Sequence, residues 1–151
     1  MRLYLKVIIA FFAAIFSISP LVQAQEPLHI AVIGPMSGKD QKSGNAMVNG
    51  VRLQVQRLNE QGGIQGRKVV VDEYDNKHDK ELARQKARKI AEDSQCLAVI
   101  GHYYSSLSLQ GGKVYKDRGI PAVSGSAAAP DVTEGNPWYF RVVSDNRLQG
   151  K

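Results

Sequence analysis

His29-Ile30-Ala31-Val32-Ile33-Gly34 is a short apolar run ending on glycine, and the way the chain continues from it decides the fold. A run of this length with no polar alternation reads as a strand buried on both faces. The segment Gly34 to Gly44 holds Gly, Pro, Ser, Lys and Asp and reads as a loop. Met47, Val51, Val55 and Leu58 then recur at spacings of four, four and three, one face of a helix, with Asn49, Arg52, Gln56 and Glu60 on the other. Gly62-Gly63 stops it. Val69-Val70-Val71 opens a second strand that runs into Tyr74-Asp75, so the pattern is strand, helix, strand.

The same unit repeats downstream. After a loop at Asn76 to His78, Asp79 is placed to cap a helix whose narrow apolar stripe is Ala83, Ala87, Ile90 and Ala91. Arg84, Lys86, Arg88 and Lys89 crowd its remaining faces, and read as an ordinary solvated surface rather than a nucleic-acid contact. Leu97 to Ile100 is a third strand ending at Gly101-His102. Ser105-Ser106 are placed to cap a third helix reaching about Arg118 and ended by Gly119. Gly111-Gly112 inside that helix weaken it, at about 1 kcal/mol each against alanine. Pro121 to Val123 is a short fourth strand, Ser124 to Pro137 a loop, Trp138 to Val143 a fifth strand, and Asn146 onward the start of another helix. Strands alternating with helices through short loops define an α/β fold with a parallel, doubly wound sheet and right-handed crossovers.

The chain has 151 residues and a net charge of +6. Residues 1–24 read as a signal peptide: Arg2 and Lys6 precede the apolar run Val7 to Ile18, and Val22-Gln23-Ala24 offers small residues for cleavage before Gln25. The apolar run is short of the roughly 20 residues that span a bilayer. That leader holds two of the 20 basic residues and none of the 14 acidic ones, leaving +4 on residues 25–151, a mild charge that implies no nucleic-acid partner. Cys96 is the single cysteine, so no internal disulfide forms, and it reads as a small buried hydrophobe beside Leu97 to Ile100.

In open α/β sheets ligands bind outside the carboxyl ends of the strands. The segments placed there are Gly34 to Gly44, Asp75 to Asp79, His102 to Ser106 and Ser124 to Pro130. A helix N-terminus presents unpaired N–H groups and partial positive charge, so Ser105 and Ser106 can hold a carboxylate or act as plain caps. The small residues from Ser124 to Ala129 let a ligand approach the backbone closely. Tyr103 and Tyr104 flank the same crevice, either stacking on a ligand or dividing between core and surface. Enzyme signatures are absent: there is no dinucleotide-binding or phosphate-loop glycine pattern and no nucleophile elbow. His29, His78 and His102 lack metal-ligand spacing, and Asp75, Asn76 and Asp79 read as a solvated turn with a cap. Neither a metal nor a cofactor is expected.

Four stretches carry a family resemblance: His29 to Gly38; Asn49-Gly50 through Asn59 to Gly62-Gly63-Ile64-Gln65-Gly66; Val71 to Asp75; and Val99-Ile100-Gly101-His102 with Ser105-Ser106. Gly119-Ile120-Pro121 and Ser126-Ala127 before Pro130 extend it. In order and spacing they resemble the type I periplasmic binding proteins of ABC importers, closest to the leucine/isoleucine/valine-binding group. The resemblance implies two α/β lobes that close on a ligand about a hinge. Family members typically run far longer, so residues 25–151 correspond to an incomplete N-terminal lobe.

The resemblance also implies site residues. Ser105 matches the serine that binds the ligand carboxylate. Ala127-Ala128 match an Ala-Thr pair in which the alanine carbonyl takes the ligand ammonium and the next residue gives an amide and a hydroxyl. Ala128 keeps the amide and lacks the hydroxyl, and an aromatic residue in the first loop of some members falls at Ser43. With Tyr103, Ser106 and Ser126 these form the expected ligand-binding set. The expectation is a non-enzymatic, periplasmic solute-binding component of an ABC transporter. Its ligand is a branched-chain or other small amino acid, or an amide, delivered to a membrane permease. The alternatives are a ligand-binding sensor or receptor ectodomain fragment that works through protein contacts, or a non-functional truncated reading frame.

Overall fold

A computed structural model of the protein describes residues 25–150; the leader read at residues 1–24 lies outside them. Five strands form one parallel sheet: β1 (Leu28–Gly34), β2 (Val69–Asp75), β3 (Cys96–Gly101), β4 (Ala122–Ser124) and β5 (Tyr139–Arg141), in the spatial order β2-β1-β3-β4-β5. The connections are α1 (Gln41–Glu60), α2 (Lys80–Glu92), α3 (Ser105–Arg118) and, between β4 and β5, a 3₁₀ turn at Pro130–Val132; α4 (Asn146–Gln149) follows β5.

The strand order reverses direction after β2, so right-handed crossovers put α1 on one face and α2 with α3 on the other. Side chains agree. Ala31 and Ile33 of β1 join Ala87 and Ile90 of α2, Val99, Tyr115 of α3, Ala122 and Tyr139 in one buried cluster. Val32 points the opposite way and is as deeply buried, on the side where Val48 of α1 packs. Full burial of Ile33, Ile90 or Val99 contributes about 1.5–3 kcal/mol each.

Asp79 caps α2 as expected, accepting from the Leu82 N–H at 2.6 Å, and Gly119 closes α3 in the left-handed conformation at φ 67°. Two local expectations are corrected. The segment Gly34 to Gly44 is not all loop, because α1 already begins at Gln41 and places Ser43 in its first turn. Gly44 is there for close approach: a Cβ on it would lie 1.9 Å from the Pro35 carbonyl oxygen. Ser105 and Ser106 do not cap α3. Tyr104 occupies the capping position with extended backbone and no side-chain bond, and the serines are the first two helical residues. As expected, α3 runs through Gly111 and Gly112 to Arg118.

Beyond β1 no described residues cover the α1 face of the sheet. Val32, Ile100, Val123 and Phe140 lie in one row across β1, β3, β4 and β5. Exposure rises along it from none at Val32 to 54% at Phe140.

Candidate functional site

Four loops meet at the carboxyl end of the sheet, and hydrogen bonds fix each to its neighbour. Asp75, at the end of β2, accepts from the Met36 N–H at 2.8 Å, the Lys77 N–H at 2.9 Å and the Ser37 hydroxyl at 2.5 Å. Burial alone would raise its pKa, but these bonds outweigh that and hold the carboxyl below its usual range. Asp40, just before α1, accepts from His78 Nδ1 at 2.5 Å, a bond that lowers its pKa. The His78 ring in turn stacks on Tyr104 with centroids 3.9 Å apart. The first two loops are thus tied to the start of α3.

Beneath them sits His102, wholly buried. The Asn76 amide nitrogen can only donate, so at 3.1 Å it fixes His102 Nδ1 as an acceptor. The proton of the neutral ring is then on Nε2, 3.2 Å from the Tyr115 hydroxyl. Burial in this setting lowers the pKa of His102 to about 3. Its backbone is equally engaged. The His102 N–H donates to the Tyr139 hydroxyl at 2.8 Å, which itself donates to the Gly101 carbonyl. The His102 carbonyl accepts from Ser124 Oγ at 2.9 Å and Ser108 Oγ at 3.2 Å. One residue therefore bolts together β3, β4, β5, α3 and the β2 loop. His102 belongs to a segment expected at the ligand crevice, yet its ring points inward. The missed signal was a Gly-His strand end followed, along the next helix, by two glycines that leave room for rings. A Cβ on Gly111 would lie 2.2 Å from His102 Nε2, and one on Gly112 would lie 2.8 Å from the Tyr139 ring.

Above this bolt lies an open groove of about 520 Å³, lined by Lys42, Ser43, Met47, Tyr103, Gly125 and Ser126. Three of the expected binding residues, Ser43, Tyr103 and Ser126, therefore share one concavity. Ser126 donates to the Tyr103 carbonyl at 2.5 Å, locking the β4 loop to the start of α3. Tyr103 faces the groove, while Tyr104 is taken up by His78. Ser105 Oγ accepts from the Ala129 N–H at 3.2 Å, which leaves its own hydrogen available to donate. Ser124 Oγ, accepting from the Ser126 and Ala127 N–H groups, shapes the same loop. Ala127 is fully buried, backbone included, so it shapes the loop from within. Among the described residues the N–H groups of Ser105, Ser106 and Ala128 and the carbonyl of Ala127 take no hydrogen bond. Three donors and one acceptor are thus unused at the strand ends, beside a helix N-terminus that favours negative charge.

The relatives of this parallel α/β lobe, with its unspent backbone groups at the strand ends, give the class. The sequence pattern of periplasmic binding proteins matches residues 27–151. The leucine-specific-binding protein of Salmonella typhimurium is 34% identical over 126 residues, covering 83% of this chain and 34% of that protein. An ABC transporter substrate-binding protein from Desulfitobacterium hafniense, solved with Leu, superposes with a TM-score of 0.74 at 31% identity over 82% of this chain and 36% of its own. The branched-chain amino acid transporter substrate-binding protein of Streptococcus pneumoniae, solved with isoleucine, gives 0.75 at 26% identity over 79% of this chain and 34% of its own. The chain belongs to the periplasmic binding protein family and spans about a third of the length of these relatives.

Proposed function

We propose that this chain is a solute-capturing lobe of an ABC importer's binding protein. It works in the periplasm without catalysis and presents a small amino acid or related amide to a membrane permease. The observation that carries this reading is the cluster of unused backbone groups at Ser105, Ser106 and Ala128 beside the groove lined by Ser43, Tyr103 and Ser126. A ligand carboxylate fits the start of α3, accepting from the Ser105 hydroxyl and the first N–H groups of the helix. The N–H of the partly exposed Ala128 completes the polar set. The apolar part of the ligand lies toward Met47 and Tyr103. With alanine at position 128 the site offers one hydroxyl fewer than the family's threonine would, which favours ligands with few polar groups around the amine.

Ser105→Ala removes the one side-chain donor to the carboxylate. A hydrogen bond to a charged group is worth about 1.5–3 kcal/mol, so titration calorimetry with leucine, isoleucine or valine is expected to show affinity at least about tenfold weaker. Unchanged affinity would remove Ser105 from the site. A second reading, a receptor fragment acting through protein contacts, is favoured by the uncovered row ending at Phe140 and by Val142, which is 77% exposed.

A further inference from the structure

The charges of this protein are unevenly placed. Helix α2 carries Lys80, Arg84, Lys86, Arg88 and Lys89 against Glu81 and Glu92. Helix α3 adds Lys113, Lys116 and Arg118 against Asp117. These two helices, packed side by side, hold eight basic and three acidic residues, a net +5. The other described residues hold nine basic and eleven acidic ones, a net −2. Among the described residues only one of the eight cations meets a carboxylate, Arg84 with Glu81 at 2.5 Å. Lys116 is engaged with the Gly135 carbonyl at 2.7 Å. Between the helices runs a groove of about 410 Å³ lined by four cations, Arg84, Arg88, Lys113 and Arg118, and by two acids, Glu92 and Asp117.

We infer that the outer face of α2 and α3 is an adsorption surface for an anionic phospholipid bilayer. The large apolar side chains that this protein exposes are Leu53, Ile64, Val70, Leu97, Trp138, Phe140, Val142 and Leu148, and none lies on α2 or α3. An acidic protein partner calls for buried aromatic or aliphatic anchors at the centre of its interface, and single-stranded nucleic acid calls for aromatic stacking platforms. This face has neither. A lipid surface needs only a field of mobile cations facing a plane of phosphates, and unpaired lysines and arginines on two parallel helices supply that. The surface is separate from the strand-end groove, so it stands or falls independently of the ligand reading.

The test is co-sedimentation of the purified chain with phosphatidylglycerol vesicles and with phosphatidylcholine vesicles, with the R88Q/K113Q variant alongside. Both substitutions are exposed and outside the core, so the variant's thermal melt serves as the fold control. Binding is expected to phosphatidylglycerol and not to phosphatidylcholine. It should be about 30-fold weaker in R88Q/K113Q and lost as salt rises from about 0.1 to about 1 M, where the screening length falls from about 10 to about 3 Å. No difference between the two lipids, or equal binding by the variant, overturns the inference. So does displacement from vesicles by low millimolar inorganic phosphate, which would mean a discrete phosphate pocket. Capture by polyglutamate without any vesicle binding would overturn it too, in favour of an acidic protein.

Discussion

Gly111→Ala is expected to destabilise the chain by about 3 kcal/mol. The new Cβ would sit 2.2 Å from His102 Nε2 and 3.1 Å from the Tyr115 ring, both fully buried. Overpacking a core costs about 1–3 kcal/mol. Pushing the imidazole away from the Tyr115 hydroxyl leaves buried polar groups unpaired, for a further cost of about 1–3 kcal/mol. The gain in helix propensity, about 1 kcal/mol, offsets only part of this. Gly50→Ala in α1 is the matched control, since a Cβ there meets nothing within 4 Å; it should stabilise by about 1 kcal/mol. Denaturant unfolding followed through the single tryptophan, Trp138, measures both. If the two substitutions behaved alike, the packing of α3 against His102 would be wrong.

His102 sets the second large effect, a loss of stability in mild acid. Its folded pKa is about 3, lowered by burial, against an ordinary value near 6.5. Above pH 6.5 the ring is neutral in both states and contributes no pH dependence. Between 6.5 and 3 the unfolded chain binds a proton that the native state refuses, so stability falls as pH falls, by up to about 1.4 kcal/mol per unit. At pH 5 the loss is about 2 kcal/mol relative to pH 7.5. Asn76 and Tyr115, the groups hydrogen-bonded to the ring, offer no carboxylate to hold an imidazolium. Unfolding curves from pH 7.5 to 5 for the wild type and His102→Gln isolate this group from all others that titrate. The difference between the two should shrink by that amount over the range, and a constant difference would mean that the ring is protonated in the folded state.

The parts of the fold legible in the sequence were those set by burial on two faces or by a strict helical period. The runs at His29 to Ile33, Val69 to Val71 and Leu97 to Ile100 all became strands, in the parallel sheet that the alternation with helices implied. What misled was glycine. At Gly44, Gly111 and Gly112 it was read for its backbone freedom, as loop or weak helix, while its actual role is to admit a carbonyl or a ring belonging to a distant segment. No local pattern reveals a neighbour nine or more residues away. The same limit explains Ser105 and Ser106. Residue type fits them as caps, but the extended backbone of Tyr104 decides the helix start. Of the expected ligand-binding residues, Ser43, Tyr103 and Ser126 meet in one groove. The supports below them, Asp40 with His78 and His102 with Asn76 and Tyr115, were not, because each joins residues 13 to 38 positions apart.

The central claim is that this chain holds a small solute at the carboxyl ends of its strands. The most direct test is a thermal melt of the purified chain alone and with leucine, isoleucine, valine, small amides or urea in large excess. A ligand that binds only the native state stabilises it, by about 2.7 kcal/mol at a hundredfold excess over its dissociation constant. The account predicts a cooperative melt that at least one amino acid moves upward in the wild type, with a smaller shift in Ser105→Ala. A cooperative melt that no member of the panel moves would contradict it.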